Sequence, residues 1–442
     1  MANVERELAM SDSTCVGNTK PLFSSGRRNI TSLLVLAILV ALSPQSVAQF
    51  RTAKRETPMA KSTNVSSGLS YDSINRSTGF IPASEKEVMQ VVRGIETANS
   101  DKDEVALCGW FDNSNYLNRI LAGTRLPASI RVEFEAGLEQ NGPFQQIATQ
   151  ILRMGGHYQF LRLQRRNGEI RPVFRSIVGD TGVVNYQELV VNKGTGQGPR
   201  VVDFYSSVAG DYIALTVRST TLAEIIAGSP PGSVPTSGID PEVVASAELM
   251  KTIGINLANG RYRECLSGME QLPVGVRHEK AFLGLKSIIA KRVGLDEFQI
   301  SIEELVRHNP DRIACDLALL ELYRHKSDDN RTIEIVDRLI PAVQDPYLNF
   351  FKIQPLVRQN RLSEAKEAIA AAKTAAPGRS EIFVSEIGLL MKLKNHAATA
   401  EAIDDVEQQF GDHVLTLTSF PEFNEFSESE PGMACLARRA GF

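Results

Sequence analysis

The sequence predicts an α+β domain, helices first and an antiparallel sheet after them, followed by an all-α solenoid of two-helix repeats. Three observations lead there. Residues 157–206 read as four strands joined by three turn signals. Helical spacing of apolar residues precedes that block, and helical spacing alone follows it from Asp240 to about Phe410. Between the two lies Ser229-Pro230-Pro231-Gly232-Ser233-Val234-Pro235, which has linker composition. The expected map is a signal peptide over 1–48, a disordered linker over 49–80, the α+β domain over 81–227, a Pro/Gly/Ser linker over 228–240 and the repeat domain over 241–442.

Taken in order, the N-terminus carries Arg27 and Arg28, then the apolar run Leu33 to Leu42, then Ser46-Val47-Ala48. A charged region, a short apolar region and small residues make a signal peptide, with cleavage expected after Ala48. The run falls short of the roughly 20 residues of a membrane span. The charged region is long, so an uncleaved anchor is the alternative, and membrane contact is expected only in that case. The expected location is outside the cytoplasm: periplasmic, secreted or cell-envelope. Residues 49–80 hold Ser, Thr, Asn, Lys and Arg with few apolar anchors, a disordered composition. Asn64-Val65-Ser66 and Asn75-Arg76-Ser77 match the glycosylation acceptor pattern, which matters only in a eukaryotic secretory pathway.

Ser84-Glu85-Lys86-Glu87 is a capping box, and Val88, Val91, Val92 and Ile95 follow on one helical face. Helix is expected to continue from Lys102 to about Phe111, and to return over Asn113–Leu121, Ile130–Leu138 and Phe144–Leu152. The strands are His157–Gln164, Arg171–Val178, Val183–Asn192 and Arg200–Ser206. Asn167-Gly168 makes the first hairpin. Aromatic residues on both parities (Phe174, Tyr186, Phe204, Tyr205) predict one covered face and a second face only partly wet. Leu215–Ile226 reads as a short helix. In the second domain Asp240 caps and Pro241 starts a helix. Turn signals at Asn259-Gly260, Gly294, Ser327-Asp328, Asn360 and Asn395 then recur about every 34 residues, a tetratricopeptide-type period. Pro273, Pro310, Pro346 and Pro377 fall between the pairs.

The 442 residues carry 43% hydrophobic and 23% charged side chains, enough to bury a core in two or three domains. A net charge of −4 argues against nucleic acid as a partner. Cys15 would leave with the signal. Cys108, Cys265, Cys315 and Cys435 are too far apart for a metal or redox motif and read as buried thiols, with a Cys265–Cys315 disulfide left open. The chain has no Gly-x-Ser-x-Gly, phosphate-loop or His-Glu-x-x-His pattern. No catalytic residue, metal or cofactor is therefore assigned.

Two resemblances enter here. Gly260-Arg261-Tyr262 with Cys265, Asn360-Arg361-Leu362 with Ala365, and Asn395-His396-Ala397 with Ala400 resemble tetratricopeptide-like repeats over roughly 170 residues. The family's Trp and Leu-Gly-x-x-Tyr positions are missing. Helices before a strand meander, with Phe174-Arg175, Val184-Asn185-Tyr186 and Val201-Val202-Asp203-Phe204-Tyr205, resemble the nuclear-transport-factor-like fold over 84–226. That resemblance implies helices packed in the hollow of a curved sheet, often around an apolar pocket. Some members are isomerases or dehydratases using Asp and His.

The candidate pocket residues are Arg175, Tyr186, Asp203 and Tyr205, with His157 and Glu188 beside them. Parity puts Asp203 and Tyr205 on one strand face, where a carboxylate raised by an apolar pocket could act as a base and a tyrosine as a donor. The plainer expectation is that Asp203 pairs with Arg175 across neighbouring strands, that the tyrosine hydroxyls reach solvent and that His157 faces solvent. The acidic segment Glu422–Glu430, with Phe420, Phe423 and Phe426, is expected to pack on the last repeat. The functional expectation is an exported, non-enzymatic interaction or scaffold protein whose helical repeats hold a protein partner, with the sheet domain forming a homodimer or holding a ligand. The alternative is a small-ligand binder or isomerase/dehydratase-like enzyme using the first domain's pocket.

Overall fold

The computed structural model describes residues 69–440 except 143, 145–151, 153–155, 179–182, 195, 197 and 412–414. The expected signal peptide, the Asn64 acceptor pattern, the turn at Gly179–Gly182 and most of the helix at Phe144–Leu152 lie outside the described residues. The chain is an α+β unit with a five-stranded antiparallel sheet, followed by a helical region.

The first helices are α1 (Tyr71–Ser77), α2 (Glu85–Ser100), α3 (Glu104–Cys108), α4 (Asn113–Ile120) and α5 (Ala128–Asn141). The capping box at Ser84 and Glu87 forms as the sequence predicts. Val88, Val91, Val92 and Ile95 are fully buried against Tyr158, Phe174, Leu189 and Phe204. Each such side chain contributes about 1.5–3 kcal/mol of burial. The helix expected through Lys102 is broken there, because Lys102 takes a left-handed φ of 55° between α2 and α3. Helix α1 corrects the expectation of disorder at the end of the 49–80 segment. Its composition is polar, but Tyr71 and Ile74 are buried and Ser70 caps it. Tertiary hydrogen bonds, which composition does not register, hold it in place.

The sheet is a meander of β1 (His157–Arg166), β2 (Glu169–Val178), β3 (Val183–Asn192), β4 (Arg200–Ser206) and β5 (Asp211–Tyr212), one strand more than expected. Strand alternation assigns the faces. Phe174, Leu189, Val191, Val201 and Phe204 share the core with α2. In the register, Arg175 faces Tyr186, Val173 faces Glu188, and Glu188 faces Tyr205, so these lie together on the opposite face. This second face is not partly wet. Arg171 and Arg175 are 0% exposed and Asp203 1%. Helix α1 covers one part of it and the helical region another.

After β5 comes α6 (Ile213–Gly228), two residues longer at each end than expected. The 228–240 segment is packed rather than free: Val234 and Ile239 join the main core, and Gly238 O accepts from Arg218 Nη2. The helical region comprises α7 (Pro241–Ala258), α8 (Tyr262–Glu270), α9 (Val274–Arg277), α10 (Lys280–Val293), α11 (Leu295–His308), α12 (Arg312–His325), α13 (Asp329–Val343), α14 (Phe350–Arg358), α15 (Leu362–Ala375), α16 (Ser380–Lys392) and α17 (His396–Phe410). Each of α10–α16 packs on its successor in the chain. Four of the predicted turns share one construction. Gly260, Ser327, Asn360 and Lys394 all have φ between 52° and 68°. Each donates to the carbonyl three residues back, and the following residue donates to the carbonyl five back. That pattern satisfies the last free carbonyls of the preceding helix. At Gly294 the backbone is extended instead.

Helices α18 (Phe423–Glu428) and α19 (Glu430–Arg439) close the chain. Phe426 and Cys435 are fully buried with Ile387, Ile403 and Val406, so the acidic tail packs on α16 and α17 as predicted. Cys108, Cys265, Cys315 and Cys435 form no disulfide. The Cys265 thiol donates to Ile253 O and the Cys315 thiol to Asn309 O, so the pairing left open by sequence is not made. No helix among the described residues is long and apolar enough to cross a membrane.

Candidate functional site

The second face of the sheet meets loops of the helical region, and three of the four candidate residues, Arg175, Tyr186 and Tyr205, are engaged there. Asp345 follows α13 and caps the short 3-10 turn Pro346–Asn349 by accepting from Tyr347 N at 3.1 Å. The same carboxylate accepts from Arg175 Nη1 at 2.8 and 3.1 Å and from the Tyr186 hydroxyl at 2.9 Å. Arg175 also donates to Ala375 O at 3.0 Å and to Gln159 Oε1, and its guanidinium lies 4.5 Å from the Tyr347 ring centroid. Asp311 caps α12 through Ala314 N and accepts from the Tyr205 hydroxyl. Lys280, at the start of α10, donates to Gly210 O at 2.8 Å and lies 3.3 Å from Asp211.

These contacts run in order. Lys280 meets the start of β5, Asp311 meets β4, and Asp345 meets β3 and β2. At the start of β1, burial, with Arg175 and then Arg379, holds the His157 imidazole down at about 4. Successive loops of the helical region, about 34 residues apart, thus address successive strands. The close approach is fixed at Gly210 (φ +66°), where an added Cβ would sit 2.9 Å from the Asp311 side chain. Ile177, Val184 and Tyr186 share a core with Leu317, Leu339, Leu348 and Ile369, so apolar packing surrounds the polar pins.

Asp203 and Arg175 are not partners. Asp203 accepts from Arg119 Nε at 3.1 Å, and its other oxygen accepts from Phe204 N at 2.9 Å and Ala214 N at 3.1 Å. The last contact places a carboxylate at the N-terminus of α6, where backbone N–H groups and the helix dipole favour it. Burial pushes the Asp203 carboxyl up, and Arg119 with these N–H groups pulls it back. Burial also raises the phenols of Tyr186 and Tyr205, with Asp345 and Asp311 adding to it. Contrary to expectation, neither hydroxyl is left to solvent: Tyr186 donates to Asp345 and Tyr205 to Asp311. The four candidates share one sheet face, but they serve three internal partners: Arg175 and Tyr186 meet Asp345, Tyr205 meets Asp311 and Asp203 meets Arg119. Asp203 has both oxygens occupied and is poorly placed to take a proton from a substrate.

Arg119, Asp311 and Asp345 were missed as site residues. Asp311 follows Pro310 and Asp345 precedes Pro346, so each reads in sequence as a helix cap. Capping is one of the two roles each plays. The other, pairing across to a strand, leaves no local sequence signal.

A groove of about 250 Å³ lies on the far end of the helical region, lined by Lys373 of α15, Phe383 and Glu386 of α16, and Ala402, Asp405, Gln408 and Gln409 of α17. Lys373 Nζ sits 4.3 Å from the Phe383 ring centroid and donates to Glu386 at 2.6 Å. Asp405, Gln408 and Gln409 are exposed. Among the described residues no cluster of His, Cys, Asp and Glu could hold a metal ion. No family model, curated protein or solved structure matches the chain.

Proposed function

We propose that the chain is an exported, non-enzymatic interaction protein in which a tetratricopeptide-like array of helix pairs binds a protein partner and a nuclear-transport-factor-like domain braces one edge of the array. One observation carries this reading. Loops of the helical region are pinned to the sheet by Lys280, Asp311 and Asp345, with Asp345 on Arg175 and Tyr186 and Asp311 on Tyr205, while Arg119 holds Asp203, so the four candidate residues are engaged within the chain itself. The turns on the other side of the pairs, at Gly260, Ser327, Asn360 and Lys394, are exposed. Their shared construction, at one or two periods of about 34 residues, supports a stacked two-helix array, which leaves an extended surface for a partner. The groove on α15–α17 offers that surface an aromatic ring, Phe383, with carboxylates at Glu386 and Asp405. The occupied oxygens of Asp203 weigh against the pocket-enzyme alternative.

The test uses the full chain, because the sheet and helices share a core. Tagged wild-type chain is compared in affinity capture with Phe383→Ala and Asp405→Lys chains of unchanged circular dichroism. A protein retained by wild type and lost from both variants is the expected result. Retention of nothing by wild type, or equal retention by all three, overturns the proposal.

A further inference from the structure

We propose that the slot beneath α1 is a peptide-binding site, filled in cis by residues 69–78, and that the same segment of a second copy of this chain fills it in trans. The contacts in the slot are specific. Tyr71 stacks on Tyr212 with ring centroids 3.9 Å apart, and its hydroxyl donates to Glu169 Oε2 at 2.9 Å. Asn75, one helical turn later, donates to Glu169 Oε1 at 3.1 Å and accepts from Arg119 Nη1 at 2.8 Å. The guanidinium groups of Arg119 and Arg171 lie 5.1 and 5.0 Å from the Tyr71 ring centroid. The slot therefore selects a phenol and a carboxamide spaced i, i+4 on one helical face.

The floor of the slot is complete without α1. Arg119 keeps Asp203 at 3.1 Å, and Arg171 keeps Glu169 at 2.6 Å and the Tyr212 hydroxyl at 2.6 Å. Departure of α1 exposes paired charges to water and strands none of them. Helix α1 has seven residues, and an isolated helix below about 12–15 residues is marginal in water. Its buried anchors are Tyr71 and Ile74. It belongs to the part of the structure that opens at low free energy.

The hinge is in place as well. Gly79 has φ +64°, and nothing lies within 4 Å of where its Cβ would be. Just beyond it the chain is tied to the sheet: Lys193 N donates to Ile81 O at 2.9 Å and Ala83 N to Val191 O at 3.2 Å. Residues before Gly79 can leave while those after it, and α2, stay fixed. Exchange of an identical element between copies is a low-cost route to a dimer.

The test is a titration of a fluorescent peptide of residues 69–78 into full-length wild-type chain and into full-length Asn75→Asp and Tyr71→Ala chains, each checked for its fold by circular dichroism. The Asp variant keeps the shape of Asn75 but sets a carboxylate against Glu169. Both variants weaken the cis segment, so the wild-type peptide is expected to bind them about tenfold tighter than wild-type chain. The peptide carrying Asn75→Asp is expected not to bind. Wild-type chain is expected to form a dimer as its concentration rises in sedimentation experiments, and excess peptide to return it to monomer. No peptide binding to either folded variant, or equal binding of both peptides, overturns the slot. A chain that stays monomeric, or a dimer that the peptide leaves intact, overturns the exchange.

Discussion

Replacing Asp345 by Ala removes the one carboxylate shared by Arg175, Tyr186 and the Tyr347 backbone. Asp345 is 1% exposed and Arg175 0%, so the guanidinium left behind has no water to turn to. Its Nε already lacks a partner, and the substitution takes both bonds from Nη1. Breaking a buried ion pair from one side costs about 3–5 kcal/mol. The stranded Tyr186 hydroxyl adds about 1 kcal/mol or more. Against a typical total of about 5–15 kcal/mol, this is about a quarter or more of the stability. Urea unfolding of the full chain is the assay, with a lowered midpoint and an unchanged slope expected. The paired substitution Arg175→Met with Asp345→Leu removes both charges and is expected to cost less than Asp345→Ala alone. A loss below about 1 kcal/mol for Asp345→Ala would refute the argument, because it would mean that Arg175 is not sealed between sheet and helices.

Other outcomes follow from single residues. The His157 imidazole titrates at about 4 in the folded chain against an ordinary 6.5, because burial, Arg175 and Arg379 oppose its charge. Below 6.5 the unfolded chain takes up a proton that the folded chain refuses, so stability falls as pH drops towards about 4 and levels off beneath it. A His157→Gln chain should lose less of its melting temperature across that window than wild type, and parallel curves would disprove this. Ser327 and Lys394 occupy left-handed positions at φ 52° and 57°. Ser327→Gly and Lys394→Gly should each gain about 0.5–1 kcal/mol, and Gly260→Ala should lose about 1 kcal/mol, measured by urea unfolding. A loss on either glycine substitution would break the claim that the turns are alike. Asn75 has its amide nitrogen on Glu169 and its oxygen on Arg119. Glycosylation at Asn75 by an oligosaccharyltransferase in vitro should therefore require α1 to leave the sheet and run faster on Tyr71→Ala chain than on wild type, and equal rates by mass spectrometry would contradict it.

By itself the sequence determined the local elements and their order. The Ser84 and Glu87 capping box, the Val88 to Ile95 stripe, the strand meander and the helical turns after Gly260 and Asn360 all rest on neighbours within a few residues. Period and capping record such information directly. Parity also placed Asp203 and Tyr205 on one face, because strand alternation is a local property. What those side chains touch was decided by tertiary structure alone. Arg175 meets Asp345 and Tyr205 meets Asp311 across more than a hundred residues of chain. Nothing in the alternation of a strand says whether its polar face meets water or another set of helices. The same holds for α1, where a composition that reads as disordered is ordered by Glu169, Arg119 and Tyr212. A polar face becomes a buried one when every charge on it finds a partner, and partners that far apart in sequence are brought together only by the fold.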